Sequence, residues 1–213
     1  QSLSQWYTDR SKEGLSVEWL SSKATQQLTP WVGGNVQSAI LSTIEPQVDA
    51  YPLTMATAQA SEYHGARIVS AEVKNLLTSG SRITGVRLHD GKELLADSVV
   101  LAIGPWSHFL RNWIGFDIPI KPQRGQIIYL DSPHKHPEYA LIHNDSYILP
   151  KLSGRLFAGT TWEDAGFSSS TTQQGQEQII KNALDMSPLS QEISVMASSA
   201  CLRPLSEDNY PFI

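Results

Sequence analysis

Cysteine is nearly absent from this sequence: Cys201 stands alone, so no internal disulfide framework can hold the fold together. That usage fits a reducing compartment and gives the cytoplasm as the expected location. No apolar run approaches the ~20 residues that a helix needs to cross a bilayer; the longest, residues 98–103, is strand-sized. Lys and Arg cluster nowhere and the net charge is −5, which argues against nucleic acid as a partner. No Gly-x-Gly-x-x-Gly occurs; Gly33-Gly34 and the Gly80/Gly85 pair have the wrong spacing. No Gly-x-Ser-x-Gly surrounds a serine either, so the adjacency of Ser107 and His108 does not suggest a hydrolase. His134 and His136 alternate in a proline-flanked loop without a third ligand, so no metal centre is expected there. The chain opens on Gln1 without a signal-peptide pattern and stops on the apolar Pro211-Phe212-Ile213. Both ends read as cut, and an interior piece of a longer protein is expected.

What is present describes a globular chain. Apolar residues make up 40% of the 213, too many for a disordered segment and enough for one large or two small domains. The first fifty residues read as helical and loop-rich, with one helix from Ser21-Ser22 to just before Pro30. A second helix is expected to begin with Pro52 at its first position, to carry Leu53, Ala56, Ala60 and Tyr63 on one face, and to stop at Gly65. Strands follow at 66–73 and 82–88, and Asp90-Gly91 is a strong hairpin turn because both residues tolerate positive φ. The return strand 92–96 leads into 98–103, whose unbroken apolar character predicts a strand covered on both faces. Short strands at 126–130, 139–142, 147–150 and 155–159 then alternate with turns, as in an antiparallel sheet. After Thr172 the pattern predicts a helix with Ile179, Ile180, Ala183 and Leu184 inward and Pro188 beyond its end, then a last strand at 194–201.

A resemblance emerges from the run Ala96-Asp97-Ser98-Val99-Val100-Leu101-Ala102-Ile103-Gly104-Pro105-Trp106-Ser107. Taken alone, a strand ending in Gly marks either a plain strand-to-helix turn or a place where the backbone can approach a ligand. Its wording is similar to a signature of the FAD-dependent D-amino-acid oxidase superfamily. The same family is resembled, in order, by Val48-Asp49-Ala50-Tyr51-Pro52-Leu53, Gly65-Ala66-Arg67-Ile68 and Ile83-Thr84-Gly85-Val86. Pro122-Gln123-Arg124-Gly125-Gln126-Ile127 and Tyr147-Ile148-Leu149-Pro150 continue the series. So do Gly159-Thr160-Thr161-Trp162-Glu163-Asp164-Ala165-Gly166-Phe167 and Leu202-Arg203-Pro204-Leu205-Ser206-Glu207-Asp208-Asn209-Tyr210-Pro211. Around 160–167 the wording is most like the glycine oxidases of thiamine biosynthesis. Two departures stand out: the family's N-terminal pyrophosphate loop is not in the sequence, and its C-terminal glycine-rich segment would follow Ile213. A third is Cys201, where relatives usually have Gly before Leu-Arg-Pro.

The resemblance implies an α+β fold: an antiparallel substrate-domain sheet with helices, plus part of a Rossmann-like, glutathione-reductase-type FAD-binding domain. Expected boundaries are 1–47 for a helical part of the substrate domain, 48–120 for the partial FAD domain, 121–202 for the substrate-binding sheet and 203–213 for the return. It further implies FAD as cofactor of the whole protein, a small amino acid or amine as substrate and oxygen as electron acceptor, with a homo-oligomer compatible. Within the family an alternative is a D-amino-acid dehydrogenase that passes electrons to a quinone. Outside enzymes, a binding domain reusing the fold without flavin is the alternative. Arg203 matches the arginine that binds the substrate carboxylate, a role for which the planar guanidinium fork is suited; the competing reading is an ion pair with Glu207 or Asp208. Tyr147 matches a tyrosine that contacts the same carboxylate, against the reading of a strand tyrosine packed on its sheet. Trp162 falls where relatives shape the pocket, or is a rim aromatic. Val73 resembles the residue whose backbone reads the adenine edge, and Gly104 and Trp106 resemble contacts on the flavin side; packing roles are the alternative for all three.

Overall fold

The structure is a computed structural model that describes residues 2–211, the side chains of 190 and 191 excepted; Phe212 and Ile213, expected in the final return segment, lie outside them. Among the described residues the chain divides into two compact units, one of residues 2–48, 124–163 and 168–201, the other of 49–123, 164–167 and 202–211. No helix in them is long and apolar enough to cross a membrane.

In the first unit, α1 (Leu3–Lys12) is capped by Ser2, and Tyr7 sits edge-on to Trp19 of β1 (Val17–Ser21), ring centres 5.7 Å apart. The helix expected after Ser21 is α2 (Ser22–Leu28), with the Ser21 side chain accepting the Ala24 N–H. β1 pairs antiparallel with β2 (Ser38–Ser42), a ladder that the helix-and-loop reading of the first fifty residues did not anticipate.

The main sheet has five strands in the order β10-β6-β9-β8-β7. These are β6 (Ile120–Asp131), β7 (Leu141–His143), β8 (Ser146–Pro150), β9 (Leu156–Gly159) and β10 (Ser194–Ser206). α5 (Gln173–Met186) follows β9 in the chain and packs on this sheet. Strand alternation decides which side chains meet it. On β6, Arg124, Gln126, Ile128 and Leu130 are buried, while Ile127 and Tyr129 between them are only partly so. Ile128, Leu130, Ile148, Leu156 and Ala158 form one core with Ile179 and Ala183 of α5 and with Trp31, whose indole N–H donates to the Lys135 carbonyl at 2.9 Å. Each large side chain so buried stabilises the unit by roughly 1.5–3 kcal/mol. Ile180 and Leu184, expected inward, are 36% and 38% exposed: the inward stripe of α5 is the narrower i, i+4, i+8 row of Gly175, Ile179 and Ala183. α5 ends where Ser187, ahead of Pro188, takes an extended conformation.

In the second unit, α3 (Ala50–Tyr63) starts two residues before Pro52, which therefore occupies the third helical position. Its absent N–H has no helical acceptor anywhere in the first turn, so the shift costs nothing. None of its residues is buried, Leu53 and Tyr63 of the shared face included. The strand expected at 66–73 lies further on, as β3 (Val73–Ser79), paired with β4 (Arg82–Leu88), which pairs in turn with β5 (Glu93–Leu95) across the Asp90-Gly91 turn. The largest difference concerns residues 98–103. They belong to no strand among the described residues, and Val100 is 88% exposed. An apolar run becomes a covered strand only when neighbours supply its hydrogen bonds, and no described strand does so. A 3-10 turn over Gly104–Leu110 and the short α4 (Arg111–Ile114) follow.

Candidate functional site

The densest polar chemistry in the first unit is built around Gln126, on the face of β6 that meets α5. Its side chain is fully buried, with both amide hydrogens donated and the amide oxygen accepting. The amide oxygen accepts the Thr172 N–H at 2.8 Å, and the amide nitrogen donates to Thr172 Oγ1 at 2.9 Å and to Glu163 Oε1 at 2.6 Å. Thr172 is the cap of α5 and also accepts the Gly175 N–H, so Gln126 clamps the helix start. Gly175 is required by that clamp: a Cβ there would lie 2.2 Å from Gln126 Nε2.

Arg124, two residues earlier on the same face, is buried beside Glu163. Its Nε and Nη2 both donate to Glu163 Oε2, at 3.0 and 2.5 Å, and Nη1 donates to Ser168 Oγ and to the Ser170 carbonyl. Thr161 donates to Glu163 Oε1 and accepts the Gln126 backbone N–H at 2.9 Å. Burial pushes the Glu163 pKa up, but the hydrogen bonds from Thr161, Arg124 and Gln126 outweigh it and hold the carboxyl below its ordinary value.

Beside this network lies a cleft of about 590 Å³, walled by residues 160–163, by the β7–β8 turn and by the Gln174, Gln178 and Asn182 row of α5. Trp162 stands in that wall, 55% exposed. Tyr147 does not line it. Its ring instead lies across Gly159 on the neighbouring strand, where an added Cβ would meet the Tyr147 hydroxyl oxygen at 2.6 Å and Ile127 Cγ2 at 3.0 Å. Of the substrate-side residues singled out from sequence, Trp162 and Tyr147 both belong to the first unit. Arg124, Gln126 and Glu163 had been quoted only as parts of a resemblance. The available signal was a charged residue and an amide at alternate positions leading into the apolar run Ile127-Ile128-Tyr129-Leu130, which demand partners once buried.

Arg203, Val73, Gly104 and Trp106 belong to the second unit. Arg203 is half-buried near the end of β10, and Val73 opens β3. Gly104 has φ of 56° at the head of the 3-10 turn, a conformation that favours glycine, and no described atom lies within 4 Å of where its Cβ would be. Ser107 Oγ closes the turn by donating to the Gly104 carbonyl at 2.6 Å. Trp106 is half-exposed and stacks on Phe167, which also contacts His108 and Phe109. An open glycine beside a surface of flat aromatic rings suits a planar ligand. It offers no cradle for a pyrophosphate, which in such folds is a glycine-rich turn at a helix N-terminus. Among the described residues no three His, Cys, Asp or Glu side chains are grouped to hold a metal.

The family model for FAD dependent oxidoreductases, DAO, matches residues 1–213. This chain belongs to the DAO family. Its relatives include the hydrogen cyanide synthase subunit HcnC of Pseudomonas aeruginosa, 28% identical over 199 residues, 92% of this chain and 48% of the relative. Glycine oxidase of Pseudomonas putida is 30% identical over 142 residues, 67% of this chain and 39% of the enzyme. Among solved structures, glycine oxidase from Geobacillus kaustophilus superposes with a TM-score of 0.91 at 25% identity, over 99% of this chain and 57% of that one. The chain of the DAO family described here therefore spans about half the length of the relatives it matches. The expected α+β class with antiparallel sheets agrees with these neighbours.

Proposed function

We propose that this chain is part of a flavin-dependent oxidase of glycine or another small amine-bearing acid, and that it carries most of the substrate-binding side. The observation behind the reading is the family match along the whole chain, with glycine oxidases among the relatives. The first unit is taken as the substrate side and the second as part of the FAD-binding side. In the reaction the amino acid loses a hydride from Cα and a proton from nitrogen, becoming the imino acid. Oxygen takes up the two electrons and two protons and leaves as hydrogen peroxide.

FAD, when bound, supplies the hydride acceptor. The chain's own residues supply orientation and a counter-charge. Arg203 is assigned to the substrate carboxylate, where a planar fork fixes two oxygens at once. The Tyr147 hydroxyl is assigned to the same carboxylate and Trp162 to the pocket wall. Gly104 would admit the flavin ring to the backbone and Trp106 would flank it, with the Val73 backbone at the adenine edge. The pyrophosphate anchor is not among these residues.

The test is anaerobic reduction of the flavin in the full-length protein by glycine and by small D-amino acids, followed by oxygen uptake and peroxide release in air. Equal amounts of oxygen consumed and peroxide formed are expected. Failure of every such substrate to bleach the flavin removes the reading. Bleaching that is reversed by a quinone but not by oxygen transfers the protein to the dehydrogenases.

A further inference from the structure

We propose that Glu163 is a positioning residue: through Arg124, Thr161 and Gln126 it fixes the stretch of backbone that carries Trp162, and so sets the width of the pocket that receives substrate. The proposal rests on the reading above for the role of Trp162; the positioning itself rests on geometry alone.

β9 ends at Gly159, and residues 160–163 continue without a ladder. At their far end Arg124 and Glu163 form an isolated bridge, their N–H groups donating to each other's carbonyls at 2.9 and 3.0 Å. Outside a ladder, the direction of such a segment depends on the side chains that tie it to its neighbours. Thr160 Oγ1 donates to the Gln126 carbonyl at 3.0 Å, Thr161 Oγ1 accepts the Gln126 N–H at 2.9 Å, and Glu163 is gripped by Arg124, Thr161 and Gln126. Trp162, which lines the 590 Å³ cleft, is therefore flanked on both sides by residues tied to β6. A few degrees of rotation at the backbone would carry the far edge of so long a side chain a sizeable distance.

The same geometry argues against a proton-transfer role for the carboxylate. Oε2 receives two N–H donors from Arg124, and Oε1 receives Thr161 and Gln126. With both oxygens engaged, Glu163 acts through its neighbours. A simple staple between the sheet and α5 would use the same bonds, and it differs in what happens to Trp162 when Glu163 is changed.

The experiment uses the flavin-loaded, full-length protein labelled with fluorotryptophan, with the Trp162 fluorine resonance assigned by Trp162→Phe. In Glu163→Gln, whose amide keeps an acceptor but loses the ion pair, the Trp162 resonance is expected to shift or split while that of the core residue Trp31 stays. KM for glycine is expected to rise about tenfold or more, with kcat changed less than about threefold. Thr161→Val keeps the shape and the ion pair, should move both readouts less but in the same direction, and decides the matter if Glu163→Gln fails to fold. An unmoved Trp162 resonance with unchanged KM, in a variant that only melts earlier, overturns the proposal. A moved resonance with unchanged KM keeps the positioning and removes Trp162 from the substrate pocket.

Discussion

Gly175 sets helix propensity against packing, and the two predict opposite signs. It is the third residue of α5, and alanine at such a position would favour the helix by up to about 1 kcal/mol. The new methyl, however, would stand 2.2 Å from Nε2, 2.6 Å from Cδ and 2.9 Å from Oε1 of Gln126. Gln126 is fully buried, so its amide cannot swing into solvent. It must tilt against its neighbours and loosen its bonds to Thr172 and Glu163. Overpacking of a core costs roughly 1–3 kcal/mol, and each buried hydrogen bond lost adds about 1 kcal/mol, more when the partner is charged. After the helix gain, Gly175→Ala should destabilise by about 3 kcal/mol, or about 6–12 °C in Tm for a domain of this size. Urea unfolding of the full-length protein, followed by circular dichroism, measures it. The control is a double-mutant cycle: once Gln126→Ala has removed the obstacle, Gly175→Ala should be neutral or stabilising. A single variant as stable as the wild type would refute the clamp.

Three further outcomes are expected. In the full-length protein, Arg203→Lys keeps the charge but loses the fork, and kcat/KM should fall about ten- to a hundredfold or more; near-normal kcat/KM with a lowered Tm would return Arg203 to a structural role. A polypeptide of these 213 residues, mixed with FAD and gel-filtered, should elute without the flavin's visible absorption, because the sequence contains no Gly-x-Gly-x-x-Gly loop; a coloured peak would show that the contacts present suffice. Because the folded pKa of Glu163 lies below its ordinary value, its contribution to stability is complete above about pH 4.3 and is lost as pH falls through the lower, folded value. Acid titration should therefore destabilise the wild type more steeply than Glu163→Gln across that window, and parallel curves would contradict the assignment.

What the sequence showed and what it hid divide by range of interaction. The Asp90-Gly91 turn, the Ser21 and Thr172 caps and the stop before Pro188 were legible because each is decided by a few adjacent residues. The segment 98–103 was misjudged because an apolar run reports its appetite for burial and not who will cover it. The β1–β2 ladder was missed because the alternation of Val17, Glu18 and Trp19 is only three residues long and breaks at Leu20 and Ser21. The Gln126 network was out of reach for a different reason. Arg124 and Glu163 are 39 positions apart, and Gln126 and Thr172 are 46 apart. Sequence can say that a buried arginine needs a carboxylate; only the sheet register of β6 against the end of β9 says which one.

The contact between Tyr147 and Gly159 orders the substitutions this family member can accept. While the tyrosine ring covers that Cα, every side chain at 159 collides with it, so position 159 is closed to drift. It opens once 147 has become smaller and Ile127 Cγ2, 3.0 Å from the new Cβ, has given way by a few tenths of an ångström. Exchanging the two residues in that order passes through a viable intermediate, whereas the reverse order passes through an overpacked one. If Tyr147 also binds substrate, the permitted first step costs activity, and both positions are locked, one by chemistry and the other by volume.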